Sequence, residues 1–264
     1  MRLLIADSFA TAPYTIPIQS SWVAAPATVS LEIVSGLRAA DIGATDSALL
    51  PSGGFPALHE SHQIVPAVAV IADGQGAIAM RTPVRPDEVE ATPVRMLETS
   101  ETALVLARAT LHPFYGIEAT RWITESGDPE TSRAEVVIVE DAEALREPEG
   151  GFSEDLCRAW FILHNQPVVT HVLVIPRELP LPERQDVTAF MTQARSEGLD
   201  RRKEWRSEHA ERQGISSSRA GAFWAAQRYE LQPADRTALL SLLQRGGGLP
   251  RLPANGMLFA SDFS

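Results

Sequence analysis

Small polar residues cluster where a helical pattern begins near the middle of the chain. The segment "ETSET" (98–102) follows the apolar run "VRML" and opens the helical pattern "SETALVLARATLHPFYG". Ser and Thr at a helix start commonly cap free backbone N–H groups. The same N–H groups, aided by the helix dipole, can instead hold a carboxylate. Both roles remain open, and the second makes Thr99, Ser100 and Thr102 candidate ligands for an anionic small molecule, with Glu101 expected to point outward.

Further polar residues follow the predicted strands. Turn formation is the usual role of such residues, but their position beyond strand ends also makes them candidate ligand contacts. Asp46 is the candidate general base, with helix capping as its alternative role. The loop "DGQG" (73–76) has neither the Lys nor the spacing of a phosphate-binding loop. The candidate binding residues in these loops are Ser8, Thr11, Thr45, Ser47, Gly74, Gln75, Gly76 and Asp141.

One histidine lies inside an apolar strand pattern. His171 in "QPVVTHVLVIP" is either a satisfied core residue or an acid, base or hydrogen-bond donor facing a cleft. The single cysteine, Cys157, excludes an internal disulfide and a cysteine-based zinc site, and it is expected to fill core space on a helix. Because no histidine pair has ligand spacing on one element, we predict no metal site.

Charge and composition exclude several classes of protein. The chain of 264 residues has a formal net charge of −11, which argues against nucleic-acid partners and mildly against an anionic membrane surface. No apolar run approaches the roughly 20 residues that span a bilayer. The first apolar stretch, "RLLIADS", is read as a strand and is too short for a signal peptide. We predict a cytoplasmic protein whose partner is a small metabolite.

Strands and helices alternate in the first two thirds of the chain, and helices dominate the rest. The predicted strands are "RLLIADS", "ADIGAT", "IVPAVAVIAD", "GAIAMRT", "VRML", "AEVVIVED" and "QPVVTHVLVIP". Helices are predicted up to Leu37, from Asp46, over 100–116, over "EALRE" and over "SEDLCRAWFILHN", and from Pro176 to about Arg245. This order predicts an α/β fold with a mostly parallel sheet, in which ligands bind beyond the carboxyl ends of the strands.

Four ordered segments resemble one known family. They are "GLRAADIGATDSALL", "TSET", "EDLCRAWFILHNQPVV" and "EHAERQGIS" followed by "FWAAQRYELQPADRTALLSLL". Together they resemble the chorismate dehydratase family of the futalosine route to menaquinone, over nearly the whole chain. The resemblance implies a two-lobed periplasmic-binding-protein-like (type 2) fold with "AIAMRT" and "VVTHVLVI" as crossing strands. It implies one lobe of 1–83 plus 173–264, a second lobe of 84–172, and a ligand cleft between them.

The resemblance also implies an activity. It implies a lyase that removes water from chorismate to give 3-[(1-carboxyvinyl)oxy]benzoate, without a cofactor. Three positions that are polar in the family hold Ala10, Ala77 and Ala103 here. Two alternatives therefore stay open: a cytoplasmic protein that binds an aromatic carboxylate without turnover, and the sister dihydroxynaphthoate synthase. The aromatic residues Phe223, Trp224 and Tyr229 either pack internally or contact a second copy in a homodimer.

Overall fold

The computed structural model describes residues 1–124, 126–247 and 258–260. Within these residues, one mixed sheet of six strands combines four strands from residues 2–72 with two from residues 168–228. Its central strands are buried on both faces, as the Val- and Ile-rich sequences of β4 and β10 require. In spatial order the strands are β11 (Gln227–Arg228), β4 (His62–Ala72), β10 (Val168–Pro176), β3 (Ser47–Pro51), β1 (Arg2–Asp7) and β2 (Ser30–Ser35).

A second sheet of five strands is built from the middle of the chain. Its strand β6 pairs in parallel with β7 and β8, whereas β5 is antiparallel to β8 and β9. In spatial order the strands are β7 (Glu118–Ile123), β6 (Ala91–Arg95), β8 (Val136–Glu140), β5 (Ile78–Thr82) and β9 (Phe152–Asp155).

Helices cover both sheets. Those between the strands are α1 (Ala12–Gln19), α2 (Phe55–Leu58), α3 (Glu101–Thr110), α4 (Asp141–Leu145) and α5 (Leu156–His164). The helical end predicted from the sequence is present as α6 (Leu181–Asp200), α7 (Arg202–Arg212), α8 (Ser217–Ala225) and α9 (Pro233–Gly247). The tail sequence from 248 to 257 lies outside the described residues. Within the described part, no helix combines the length and apolar composition that a bilayer crossing requires.

The chain passes between the sheets twice. Strand β5 pairs along its length within the second sheet, and β10 pairs along its length within the first. The passages are therefore the segments 73–77 and 165–167, and neither predicted crossing strand is shared between the sheets. Strand β5 (78–82) belongs to the second sheet, although the predicted first lobe, 1–83 plus 173–264, includes these residues. The division into two lobes remains a prediction.

Segments predicted as helical form strands instead at four places: β2, β3, residues 153–155 of β9 and β11. Residues 30–35 form β2, which pairs in parallel with β1, and residues 47–51 form β3, paired with β1 and β10. The predicted strand "ADIGAT" (40–45) is not formed, and its first two residues belong to a short 3₁₀ turn, Ala39–Asp41. The apolar residues Leu31, Ile33 and Val34 fit a strand period as well as a helical one, and pairing with β1 decides between them.

Candidate functional site

A cavity of about 530 Å³ lies where the carboxyl ends of strands from both sheets face each other. Strands β1, β2 and β3 end at it from the first sheet, and β8 and the loop after β6 end at it from the second. The described lining residues are Ala6, Asp7, Ser8, Ala10, Ser35, Gly36, Leu37, Arg38, Pro51, Ala77, Ile78, Glu98, Thr99, Ser100, Glu140, Asp141, Thr170, His171, Phe223 and Gln227. This position agrees with the rule that ligands bind beyond the carboxyl ends of parallel strands.

Only one of the two polar candidates after β1 reaches the cavity. Ser8 lines it, whereas the Thr11 side chain is fully buried below the turn. The Thr11 hydroxyl donates to the Ala6 carbonyl at 2.6 Å and accepts from the Ser8 N–H at 3.1 Å. Thr11 therefore shapes the turn that presents Ser8, and its side chain does not line the cavity, where a ligand contact was expected.

The start of α3 lies at the cavity but is already occupied by a carboxylate of the protein. Ser100 caps the helix by accepting from the Ala103 N–H at 3.2 Å. The Ser100 N–H and hydroxyl both donate to Glu140, at 2.7 and 2.8 Å. Burial raises the pKa of Glu140 above its ordinary value, and the hydrogen bonds from Ser100 offset part of the rise. The predicted cradle for a ligand carboxylate is thus filled by Glu140.

The neighbours of Ser100 have different roles. Thr99 lines the cavity, and its carbonyl accepts from Arg38 at 3.1 Å. The Thr102 hydroxyl points away from the cavity, where it donates to the Thr170 carbonyl at 3.1 Å and accepts from the Gly53 N–H at 2.9 Å. Thr102 therefore joins α3 to the first sheet and does not contact the cavity.

Glu101 also differs from its prediction. It does not point outward: one carboxyl oxygen accepts from the Ala39 N–H at 3.2 Å, and the other is buried. The first turn of α3 lies so close to Gly53 that a Cβ atom at that position would come within 2.4 Å of the Glu101 backbone. This packing against the first sheet is the physical reason why Glu101 and Thr102 both lie away from the cavity.

Asp141 lies in the cavity wall in an unusual backbone conformation. Its φ of +59° is in the left-handed region, and its N–H donates to the Ala77 carbonyl at 2.8 Å. Its carboxyl accepts a short hydrogen bond from the Phe9 N–H, which links the two sheets across the cavity. Burial, with a smaller contribution from the negative charge of Glu140, raises the pKa of Asp141 to about 7 against the lowering effect of that hydrogen bond. Asp141 can therefore exchange a proton near neutral pH.

His171 lines the cavity from the middle of β10. Its Nδ1 lies 3.1 Å from the Thr170 hydroxyl, and that hydroxyl is 3.2 Å from the Val70 carbonyl. If the Thr170 hydroxyl donates its hydrogen bond to the Val70 carbonyl, it must accept one from Nδ1 of His171. The ring proton is then on Nδ1, and Nε2 keeps a free electron pair. Burial lowers the pKa of His171 to about 4, so the imidazole is neutral at pH 7.

Asp46 lies at the opposite end of the first sheet. Residues 45 and 46 directly precede β3, and Ser47 is its first residue, so the predicted helix after Asp46 is this strand. The cavity lies at Pro51, at the other end of β3. The Asp46 carboxylate accepts from Arg2 at 2.7 Å and from the Gly43 N–H at 2.8 Å. Burial opposes its ionisation, but these bonds outweigh burial and lower the pKa of Asp46. Thr45, Asp46 and Ser47 therefore do not line the cavity, contrary to their expected place in the site.

The glycine-containing segment 74–76 is a structural passage between the sheets. The Gly76 N–H donates to Asp155 at 2.9 Å, and a side chain at Gly76 would come within 2.2 Å of the Cys157 sulfur. The Gln75 carbonyl accepts from Gln227 at 3.0 Å, and Gly74 has φ +74°. Gly74 and Gly76 lie close to α5, and none of Gly74, Gln75 and Gly76, which were expected to contact ligand, lines the cavity.

The charge of the described lining was not expected. It holds four carboxyl groups and one guanidinium: Asp7, Glu98, Glu140, Asp141 and Arg38. Of these, only Asp141 was selected from the sequence. Glu140 offered a signal, because it ends the strand pattern directly before Asp141, but Arg38 lay in a misassigned segment. The lining is therefore a better electrostatic complement for positive than for negative charge.

The three alanines at polar family positions have different environments. Ala10 and Ala77 line the cavity, where they make its wall less polar. Ala103 is a fully buried residue within α3. The aromatic residues of α8 pack internally, since Trp224 stacks on Phe9 with ring centroids 4.4 Å apart. Among the described residues, no group of three or more His, Cys, Asp or Glu is arranged to hold a metal ion.

Comparison with known proteins agrees with this architecture. Protein AF1704 from Archaeoglobus fulgidus has a similar structure, with a TM-score of 0.67, 13% sequence identity and coverage of 94% of this chain and 96% of that one. The Candida albicans CA3427 gene product, described as having the periplasmic binding protein fold, matches with a TM-score of 0.60, 12% identity and coverage of 98% and 95%.

A periplasmic binding protein provides a third comparison. The aliphatic sulphonate binding protein SsuA from Escherichia coli matches with a TM-score of 0.62, 8% identity and coverage of 99% and 92%. These likenesses confirm the predicted periplasmic-binding-protein-like fold. No curated protein sequence matches significantly. A family model described as menaquinone biosynthesis matches residues 24–247, and the chain therefore belongs to the menaquinone biosynthesis family.

Proposed function

We propose that the protein removes water from chorismate to give 3-[(1-carboxyvinyl)oxy]benzoate. The observation that carries the proposal is the pairing of Asp141, whose pKa is about 7, with a neutral His171 in one cavity with a mostly acidic lining. Membership of the menaquinone biosynthesis family supports the choice of substrate. The cavity of about 530 Å³ has room for a ten-carbon acid.

Asp141 is the proposed proton donor to the leaving hydroxyl. Near pH 7 a large fraction of its carboxyl groups is protonated, as a general acid requires. Transfer of this proton to the ring hydroxyl lets the C–O bond break with release of water. The ring is left as a cyclohexadienyl cation that carries the enolpyruvyl ether.

The acidic lining favours this cation. Carboxyl groups of Asp7, Glu98 and Glu140 line the same cavity, and fixed negative charge stabilises a cation more strongly in a buried site than in water. Such a cation becomes aromatic when it loses the proton from the carbon bearing the ether. Because that loss is strongly downhill, a weak base is sufficient.

His171 is the proposed acceptor of that proton. A pKa of about 4 makes its imidazole a weak base, and it is neutral and ready to accept at pH 7. Return of the proton from His171 to Asp141 then restores both groups. Arg38 is the guanidinium in the described lining and is the proposed partner of a substrate carboxylate.

The test is conversion of chorismate by the purified protein, followed by mass spectrometry of product and remaining substrate. We expect the benzoate ether to appear with the wild type and to fall at least a hundredfold in rate with Asp141→Asn or His171→Gln. Asp46→Asn is the matched control, since Asp46 is remote from the cavity and should leave the rate unchanged. Bound but unconverted chorismate would refute the proposed reaction.

A second candidate function is binding of an aromatic carboxylate without turnover. It is favoured by two observations: Glu140 occupies the hydrogen-bond donors of Ser100, and Ala10 and Ala77 make the wall less polar. Calorimetry with chorismate and with benzoate, combined with product analysis, separates the candidates. Binding with no product supports the second function, and product formation excludes it.

A further inference from the structure

The end of β8 places a carboxylate of the protein against the beginning of α3. Glu140 is the last residue of β8, and its two oxygens accept separately from the Ser100 N–H and hydroxyl. This two-point geometry is the one in which a ligand carboxylate binds at a helix start. Glu140 and Ser100 both line the cavity, so the contact lies within reach of a ligand.

The contact is not a strong ion pair. Within the described part of the chain, no salt bridge within 4.0 Å joins Glu140 to a cation, and the neighbouring carboxyl of Glu101 is buried beside the same helical turn. Burial and the negative charge of Glu101 both disfavour ionised Glu140, and the hydrogen bonds from Ser100 compensate only in part. A second carboxylate brought to this position would meet direct repulsion from Glu140.

We propose that Glu140 is a specificity-determining residue that occupies the anion-binding position of α3 and excludes a ligand carboxylate from it. A ligand carboxylate is then bound at Arg38, whose guanidinium donates to the Thr99 carbonyl at 3.1 Å, next to the position that Glu140 occupies. The inference deepens the proposed function at the same cavity and rests on it for the class of ligand, a cyclic carboxylate. It implies that a ligand with two carboxylates, such as chorismate, binds its second carboxylate away from the start of α3.

The test compares benzoate with its dicarboxylate analogue isophthalate by calorimetry. In Glu140→Ala we expect the ratio of isophthalate to benzoate affinity to rise at least tenfold over the wild-type ratio, because the second carboxylate gains the donors of Ser100. Glu140→Gln removes the charge but still occupies the donors, so its ratio should rise less. A crystal structure of Glu140→Ala with isophthalate should place one carboxylate on Ser100.

Glu98→Ala is the matched control. It also removes a carboxyl from the cavity lining, so it should raise both affinities by similar factors and leave their ratio within twofold of the wild type. An unchanged ratio in Glu140→Ala, in protein that still unfolds cooperatively, would overturn the inference. So would a Glu98→Ala ratio that rises as far as that of Glu140→Ala, or the failure of both ligands to bind any variant.

The readout separates this inference from the proposed reaction. A raised ratio in Glu140→Ala without chorismate turnover leaves the inference standing and removes the reaction. Turnover of chorismate with an unchanged ratio in Glu140→Ala supports the proposed reaction and overturns the inference about Glu140.

Discussion

Replacing Asp141 by Asn should stabilise the protein at neutral pH, by an amount that depends on pH. The folded protein holds the pKa of this carboxyl at about 7, against an ordinary value of 3.8. A raised acid pKa means that the folded state prefers the protonated form, so stability is lost as the pH rises from 3.8 to about 7. The difference of about 3 units corresponds to about 4 kcal/mol at 1.36 kcal/mol per unit.

The expected gain is smaller than this limit because the carboxyl faces an open cavity. Water in the cavity screens the charge, and we expect Asp141→Asn to unfold with a free energy about 2 kcal/mol higher than the wild type at pH 8. Asn keeps an oxygen for the Phe9 N–H, so the link between the sheets is retained. The gain should be small at pH 4, grow with pH and level off just above pH 7.

The assay is urea unfolding of both proteins at several pH values between 4 and 8.5. Asp155→Asn is the control, since burial raises the pKa of Asp155 to about 6 outside the cavity lining. Its difference from the wild type should level off one pH unit earlier than that of Asp141→Asn. A difference for Asp141→Asn that does not change with pH would refute the reasoning, because Asp141 would then titrate alike in the folded and unfolded chains.

Three further results are expected. The value of kcat/KM for chorismate should fall about tenfold per pH unit above pH 7 as Asp141 ionises, and a profile that stays level to pH 9 would contradict its role as the acid. Gly76→Ala should cost about 1–3 kcal/mol in urea unfolding, because its methyl group would come within 2.2 Å of the Cys157 sulfur, and Cys157→Ala should recover part of the loss. Asp235→Asn should cost about 2 kcal/mol at pH 7, since Asp235 is buried and paired with Arg228 at 2.7 Å. Burial opposes its ionisation but the hydrogen bonds from Arg228 lower its pKa, so the cost should diminish as the pH falls below 3.8, and a cost that persists at low pH would exclude the ion pair as its source.

The sequence predicts the strands that have strong apolar patterns. It predicts only some of the residues that line the cavity. The patterns of β4, β5, β8 and β10 place these strands correctly, and with them the residues that follow β1 and β8. The segment 30–51 was misread because its apolar residues fit two periods. That one error moved the candidate base to Asp46, at the wrong end of β3. It also hid Arg38, which lies in the same segment and lines the cavity.

The amino-acid sequence alone determined the α/β class, the helical end and the serine cap of α3, because periodicity and capping depend on residues close together in the chain. Only the tertiary structure decided what the cap binds, since Glu140 reaches Ser100 from 40 residues away. The same holds for the link from Asp141 to Phe9, which are 132 residues apart. The proton affinities of Asp141 and His171 depend on burial, and burial exists only once both sheets have assembled around the cavity.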